Sequence, residues 1–185
     1  MAQFIPFSPN VEVNGQTILS FLNAIPHNAF AHGVLKDTLK KYNLQDIEPN
    51  SWYSQRSWLD AFAEISKKFG KATLFSIGKA IPENAIFPPQ INDLESALKG
   101  INMAYHMNHR NGDIGYYKLL SFDKNHKKAI MECKNPYPSD FDRGIIITMV
   151  RKFIFKSSKT IQVELDTSKP TRLGGADSCT YIITW

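Results

Sequence analysis

The feature that most constrains the fold is a change of hydrophobic period at Asn111-Gly112. Before this point apolar residues recur about every 3.6 residues, which is typical of helices that bury one face. After it, apolar and polar residues alternate, which is typical of strands with one buried face. The sequence therefore predicts one α+β domain over residues 1–185, with a mainly helical part over 1–110 and a sheet-forming part over 111–185.

The N-terminal part contains several amphipathic stretches that predict helices. They cover 17–24, 27–42, 51–69 and 91–109, with a short apolar element over 71–82 that ends at Pro82. The clearest is 51–69, where Asn50 or Ser51 is the predicted N-cap, Trp58 and Phe62 lie on the apolar stripe, and Gly70 follows as a stop signal. We expect this aromatic face to pack against a large surface.

The C-terminal part predicts the order strand, strand, helix, strand, strand. The segments are 114–122, 129–133, 139–155, 161–166 and 179–185. Ser139 and Asp142 resemble a capping box at the start of the helix, and Gly144 inside it costs about 1 kcal/mol relative to alanine, which suggests a close approach by another element. The predicted fold is thus a helical part packed on an antiparallel sheet of about four to five strands, with one helix inserted between two hairpins.

Composition and charge exclude several classes of protein. The 185 residues carry a formal charge of +5, but the basic residues are scattered rather than gathered into the stripe that nucleic-acid binding needs. No run of 18 apolar residues and no signal peptide occur, so we expect no membrane span and a cytoplasmic location. Cys133 and Cys179 have no metal-site spacing, which favours two buried, reduced thiols.

Three segments of the C-terminal part carry a resemblance to a known family. They are the strand 129–133 with Asn135-Pro136-Tyr137-Pro138, the helix start Asp140-Phe141-Asp142-Arg143-Gly144, and the ending Gly174-Gly175-Ala176-Asp177-Ser178-Cys179-Thr180-Tyr181. Over residues 114–185 the chain resembles the 4-vinyl-reductase-like domain. That domain is grouped with haem-NO-binding sensors and the vesicle-tethering TRAPP subunits in one ligand-binding superfamily.

The resemblance implies a sensory or regulatory domain without catalytic machinery, which binds a small apolar or aromatic ligand and signals through a separate partner protein. It leaves three alternatives open: a haem-dependent gas sensor, a TRAPP-like interaction subunit that forms a homodimer, and an enzyme that modifies a tetrapyrrole. One departure concerns a cysteine that several family members place where this chain has Pro170-Thr171-Arg172. Any metal or redox role of a paired cysteine is therefore in doubt here.

We expect the ligand to lie between the helix at 139–155, the aromatic helix at 51–69 and the sheet, because such pockets are mostly apolar with a few polar anchors. The predicted ligand-binding residues are Trp52, Trp58, Phe62, Tyr105, His109, Tyr116, Phe141, Arg143, Gly144 and Ile145. Any one of the aromatic residues is also explained as ordinary core.

No catalytic motif such as GxSxG, a P-loop or GxGxxG is present, which weighs against an enzyme and leaves no candidate catalytic residue. His106 and His109 have the i, i+3 spacing of a shared metal, but two ligands do not make a metal site. Haem would need one axial histidine in an apolar pocket. His32, His106 and His109 are the candidates, and the cofactor stays open.

Overall fold

The computed structural model of the chain describes residues 3–25, 29–83, 85, 87–154 and 160–185, without the side chains of residues 29, 30 and 32. Within these ranges the helices are α1 (Gly15–Asn23), α2 (Ala29–Lys41), α3 (Gln55–Phe69), α4 (Lys71–Glu83), α5 (Leu94–Met107) and α6 (Ser139–Phe153). The strands are β1 (Glu12–Asn14), β2 (Trp52–Ser54), β3 (His109–Arg110), β4 (Tyr116–Asp123), β5 (Lys128–Lys134), β6 (Gln162–Leu165) and β7 (Ser178–Thr184).

The strands form two antiparallel sheets. The larger has the order β4-β5-β7-β6 and the smaller the order β2-β1-β3. The larger sheet and α6 reproduce the predicted order strand, strand, helix, strand, strand, so the α+β fold class is confirmed. The smaller sheet was not predicted, because its strands of two or three residues are too short to show an alternating pattern.

Two predicted helices are shorter than the sequence pattern suggested. The helix predicted from residue 51 begins at Gln55, because Ser54 accepts a hydrogen bond from the Ser57 amide and so forms the N-cap. Trp52 therefore lies on β2 and not on a helix. The helix predicted over 91–109 runs from Leu94 to Met107, which places His109 on β3.

The other N-terminal predictions differ in smaller ways. The first helix is confirmed as α1, and the second as α2, although residues 27 and 28 of the predicted range lie outside the described residues. The short element over 71–82 is a full helix, α4, with Pro82 in its last turn. The proline lacks the N–H group that would bond to the carbonyl four residues earlier, and the helix ends one residue later.

Helix α6 lies on the buried face of the larger sheet, and α4 packs on α6. The capping box predicted at Ser139 is wrong, because Pro138 occupies the N-cap position without a side-chain hydrogen bond. The close approach predicted at Gly144 is confirmed: a Cβ atom there would lie 2.3 Å from the Phe75 carbonyl oxygen. A Cβ atom on Gly78 would likewise lie 2.1 Å from the Phe141 carbonyl oxygen, so the two backbones are in direct contact.

The final strand pair is antiparallel, as predicted, with Val163 opposite Ile183. Its connection is longer than a hairpin turn and contains a 3-10 turn at Arg172–Gly174. Cys133 and Cys179 are opposite one another on β5 and β7, and both are buried free thiols. No helix among the described residues is long and apolar enough to cross a membrane.

Candidate functional site

Aromatic side chains fill the space where the helical part meets the sheet-forming part. They are Phe21, Trp58, Phe62, Tyr137 and Phe141, and we call them the aromatic cluster; all are buried. The ring centroids of Phe21 and Phe62 are 4.0 Å apart, and those of Trp58 and Phe62 are 5.6 Å apart. Helices α1, α3 and α6 each contribute at least one of these rings, so the cluster joins both parts of the domain.

Polar groups are buried inside and beside this cluster. Gln55, Trp58, Tyr105, His109 and Tyr137 form what we call the polar core site, and each is at most 7% exposed. The Tyr105 hydroxyl donates a hydrogen bond to the Ile114 carbonyl oxygen at 2.5 Å. The His109 ring bonds on both sides, with Nδ1 at 2.8 Å from the Tyr105 carbonyl oxygen and Nε2 at 2.7 Å from the Tyr137 hydroxyl.

These partners determine the tautomer of His109. A backbone carbonyl can only accept, so Nδ1 carries the proton. Burial lowers the pKa of His109 to about 4, so the ring is neutral near pH 7 and its Nε2 is an acceptor. It follows that the Tyr137 hydroxyl donates its proton to His109.

The amide of Gln55 and the indole Nε1 of Trp58 are fully buried, and neither has a hydrogen-bond partner in the protein. Burial raises the pKa of the Tyr105 and Tyr137 hydroxyls. The Gln55 amide lies close enough to both hydroxyls, and the Trp58 indole close enough to Tyr137, to lower these pKa values in part. A buried polar group without a partner costs about 1–3 kcal/mol. Most buried polar atoms in proteins have a hydrogen-bond partner. Here three such atoms, on consecutive turns of one helix, have none.

A second buried group, the arginine network, lies next to the polar core site. Its members are Tyr117, Asn135, Asp142, Arg172 and Cys179. The Arg172 guanidinium pairs with Asp142, donates to the Asn135 side chain and, at 3.4 Å, to Cys179 Sγ. Tyr117 donates to Asp142 at 2.6 Å. Burial raises the pKa of Asp142, and the charge of Arg172 opposes that rise.

Tyr137 connects the two buried groups. Its amide donates to the Asn135 side chain at 2.9 Å, and its carbonyl oxygen accepts from Arg172 at 2.6 Å. Its hydroxyl donates to His109 in the polar core site. A displacement of this one residue would therefore disturb hydrogen bonds in both groups.

The structure brings together five of the ten residues that the sequence predicted as ligand-binding. These are Trp58, Phe62, Tyr105, His109 and Phe141, whose rings make a continuous set of contacts through Tyr137. Ile145 is buried on α6. Nothing in the structure identifies a ligand, so the binding role of these residues stays a prediction.

The other four predicted residues lie elsewhere. The Arg110 Cζ atom lies 4.2 Å from the centroid of the Trp52 ring, beside the smaller sheet. The Tyr116 hydroxyl donates a hydrogen bond to the Glu132 carboxylate on the exposed face of the larger sheet. Arg143 lies over the Phe75 ring at 4.8 Å, with its side chain partly exposed. Gly144 is used for the contact between helices α4 and α6.

Sequence reasoning missed three central residues, Gln55, Tyr137 and Arg172. Asn135-Pro136-Tyr137-Pro138 was noted for the resemblance, but not for a hydrogen-bonding role. Arg172 occupies the segment where a family cysteine is missing, and its amide and Nε both donate to Cys179. Asp142, predicted as a helix cap, is instead the buried partner of that arginine.

No protein-family model and no curated protein sequence matches this chain. Solved structures do match. A nitric-oxide-bound Fe(II) H-NOX protein from S. oneidensis has a TM-score of 0.67 and 14% identity, and covers 92% of this chain and 97% of its own. An Fe(II) unliganded H-NOX variant from K. algicida has a TM-score of 0.64 and 14% identity, with 92% and 95% covered.

A third structure, described as "Modulating Heme Redox Potential Through Protein-Induced Porphyrin Distortion", has a TM-score of 0.60 and 14% identity, and the match covers 93% of this chain and 99% of that one. The chain therefore has the fold of H-NOX domains, over almost its whole length. At 14% identity these matches show a shared fold, which is that of the haem-NO-binding domains named above. The 4-vinyl-reductase and TRAPP parts of the resemblance receive no support.

Proposed function

We propose that this chain is a sensory domain of the H-NOX fold, which detects a small molecule at the polar core site and signals to a separate protein in the cytoplasm. The fold similarity supports the sensory role. The unpartnered buried atoms of Gln55 and Trp58 support the polar core site as the place of detection, because they lie where both parts of the domain meet. A homodimer as the signalling form is part of the same proposal.

Haem-dependent gas sensing is the second candidate, and the solved H-NOX structures favour it over a sensor of unspecified apolar ligands. A haem sensor needs an axial ligand atom that is free to bind iron, in an apolar pocket. Among the described side chains His109 comes nearest, because it is buried and neutral. The side chain of His32, a candidate from the sequence, is not among those that the structure describes.

The described residues do not fit haem in their present arrangement. Both ring nitrogens of His109 are hydrogen-bonded, and the rings of Tyr105 and Tyr137 lie against it, with centroids at 4.3 and 5.7 Å. His106 and His126 are exposed. We therefore assign detection to the protein's own polar groups.

Haem titration of the purified protein tests this proposal. We expect no Soret band with the shift of a ligated haem, and a native mass equal to that of a haem-free dimer of the chain. The variants His32→Ala and His109→Ala are tested in parallel. A stoichiometric Soret band that either substitution removes would overturn the proposal and establish the haem sensor.

A further inference from the structure

The polar core site contains a hydrogen-bond acceptor that its tyrosine neighbours cannot satisfy. The Oε1 atom of Gln55 is buried without a partner, and the Gln55 amide lies beside the hydroxyls of Tyr105 and Tyr137. Each hydroxyl has one proton. Tyr105 gives its proton to Ile114 and Tyr137 gives its proton to His109. Neither proton is left for Gln55.

The two unpartnered donors, Gln55 Nε2 and Trp58 Nε1, can find acceptors within the protein. The oxygens of both tyrosines keep a free lone pair, so a small shift would let them accept from Gln55 Nε2 or Trp58 Nε1. A molecule bound between these groups would satisfy all three atoms only if it donates to Gln55 Oε1 and accepts from both N–H groups. The need for a donor is therefore the stricter requirement.

Charge and size restrict the molecule further. His109 is neutral, and Asp142 and Arg172 already neutralise one another, so a charged molecule would find no counterion. The aromatic cluster leaves no large space, since its rings lie 4.0–6.3 Å apart. We infer that the Gln55–Trp58 corner of the polar core site binds a small neutral molecule with adjacent hydrogen-bond donor and acceptor atoms, as in a primary amide.

This inference rests on the proposed function, and it names the chemical class that the site detects. Acetamide is the probe, and acetone is its matched control, because acetone has nearly the same shape and accepts hydrogen bonds but cannot donate one. A ligand this small has a dissociation constant on the order of millimolar at best. Nuclear magnetic resonance detects such binding through the indole N–H signals of the three tryptophans.

We expect acetamide to shift the Trp58 indole signal saturably, with the Trp52 and Trp185 signals unchanged, and acetone to have at least a tenfold weaker effect. Trp58→Phe identifies the signal by removing it. Gln55→Leu should abolish the acetamide response, read from the amide signals of Tyr137 and His109, while the matched change of an exposed glutamine, Gln90→Leu, should leave it intact. If Gln55→Leu does not fold, Gln55→Met replaces it.

Equal responses to acetamide and acetone, equal responses in the wild type and Gln55→Leu, or no saturable shift would each overturn the inference. In those cases the Gln55 amide is satisfied by its tyrosine neighbours or by water. These failures differ from failure of the proposed function, which a Soret band in the haem titration would reveal independently of acetamide.

Discussion

The buried, neutral His109 makes the stability of this domain depend on pH. Burial lowers the pKa of His109 from 6.5 to about 4, so between these values the unfolded chain binds a proton that the folded chain does not. The free energy of unfolding therefore falls as the pH falls through this window, and is unaffected by His109 above it. The pKa difference of about 2.5 units corresponds to about 3 kcal/mol in total.

Between pH 7 and pH 5 we expect a loss of about 2 kcal/mol from His109. Burial raises the pKa of Asp142, which opposes this loss, so the difference between wild type and His109→Gln measures the contribution of His109. Glu64, with its pKa lowered to about 2 by Lys41 and Lys68, contributes only at lower pH. Urea unfolding at intervals of half a pH unit measures the loss. It is large enough to see, since domains are stable by about 5–15 kcal/mol.

His109→Gln removes the titrating group and should remove this loss between pH 7 and pH 5. The matched control is His106→Gln, at an exposed histidine three residues earlier in the chain, which should keep the wild-type slope. If wild type and His109→Gln lose the same stability over this range, then His109 is not held neutral by burial. The tautomer assignment, and the direction of the Tyr137 hydroxyl that follows from it, would then be wrong.

Two further predictions concern buried contacts, and urea unfolding measures both. Arg172→Met leaves the Asp142 carboxylate buried without its cation and should lower the free energy of unfolding by about 3–5 kcal/mol. Adding Asp142→Leu should recover part of this loss. If the double variant is no more stable than Arg172→Met, the pairing is contradicted. Gly144→Ala should cost about 2 kcal/mol or more, because its Cβ atom would lie 2.3 Å from a backbone oxygen. Gly33→Ala, in open space on α2, should instead stabilise by about 0.5–1 kcal/mol, and equal effects of the two changes would refute the close contact.

The sequence predicted the larger sheet and α6 because long strands and a long helix leave a periodic pattern. Cys133 on β5, for example, is buried between Glu132 and Lys134, which are partly exposed. The smaller sheet leaves no such pattern. Trp52 was therefore predicted to start the helix that follows. In the structure it lies on β2 and pairs with Asn14 on β1, 38 residues earlier in the chain.

The candidate site was only half predictable for a related reason. Aromatic residues such as Trp58 and Phe62 stand out by their spacing on one helix, so they were found. Gln55 and Arg172 are polar residues at segment ends, where polar residues are common, and only tertiary contacts show that both are buried. Asp142 was assigned to capping because acids favour the first turn of a helix; its true partner lies 30 residues further along the chain.

The contact of Gly78 with the α6 backbone has a consequence for how a signal would travel. Where side chains separate two helices, their rotamers can absorb a small displacement, but at this crossing the main chains touch directly. We therefore expect α4 and α6 to move as one rigid body. Any shift of Asp142, in the first turn of α6, would therefore displace α4 as well.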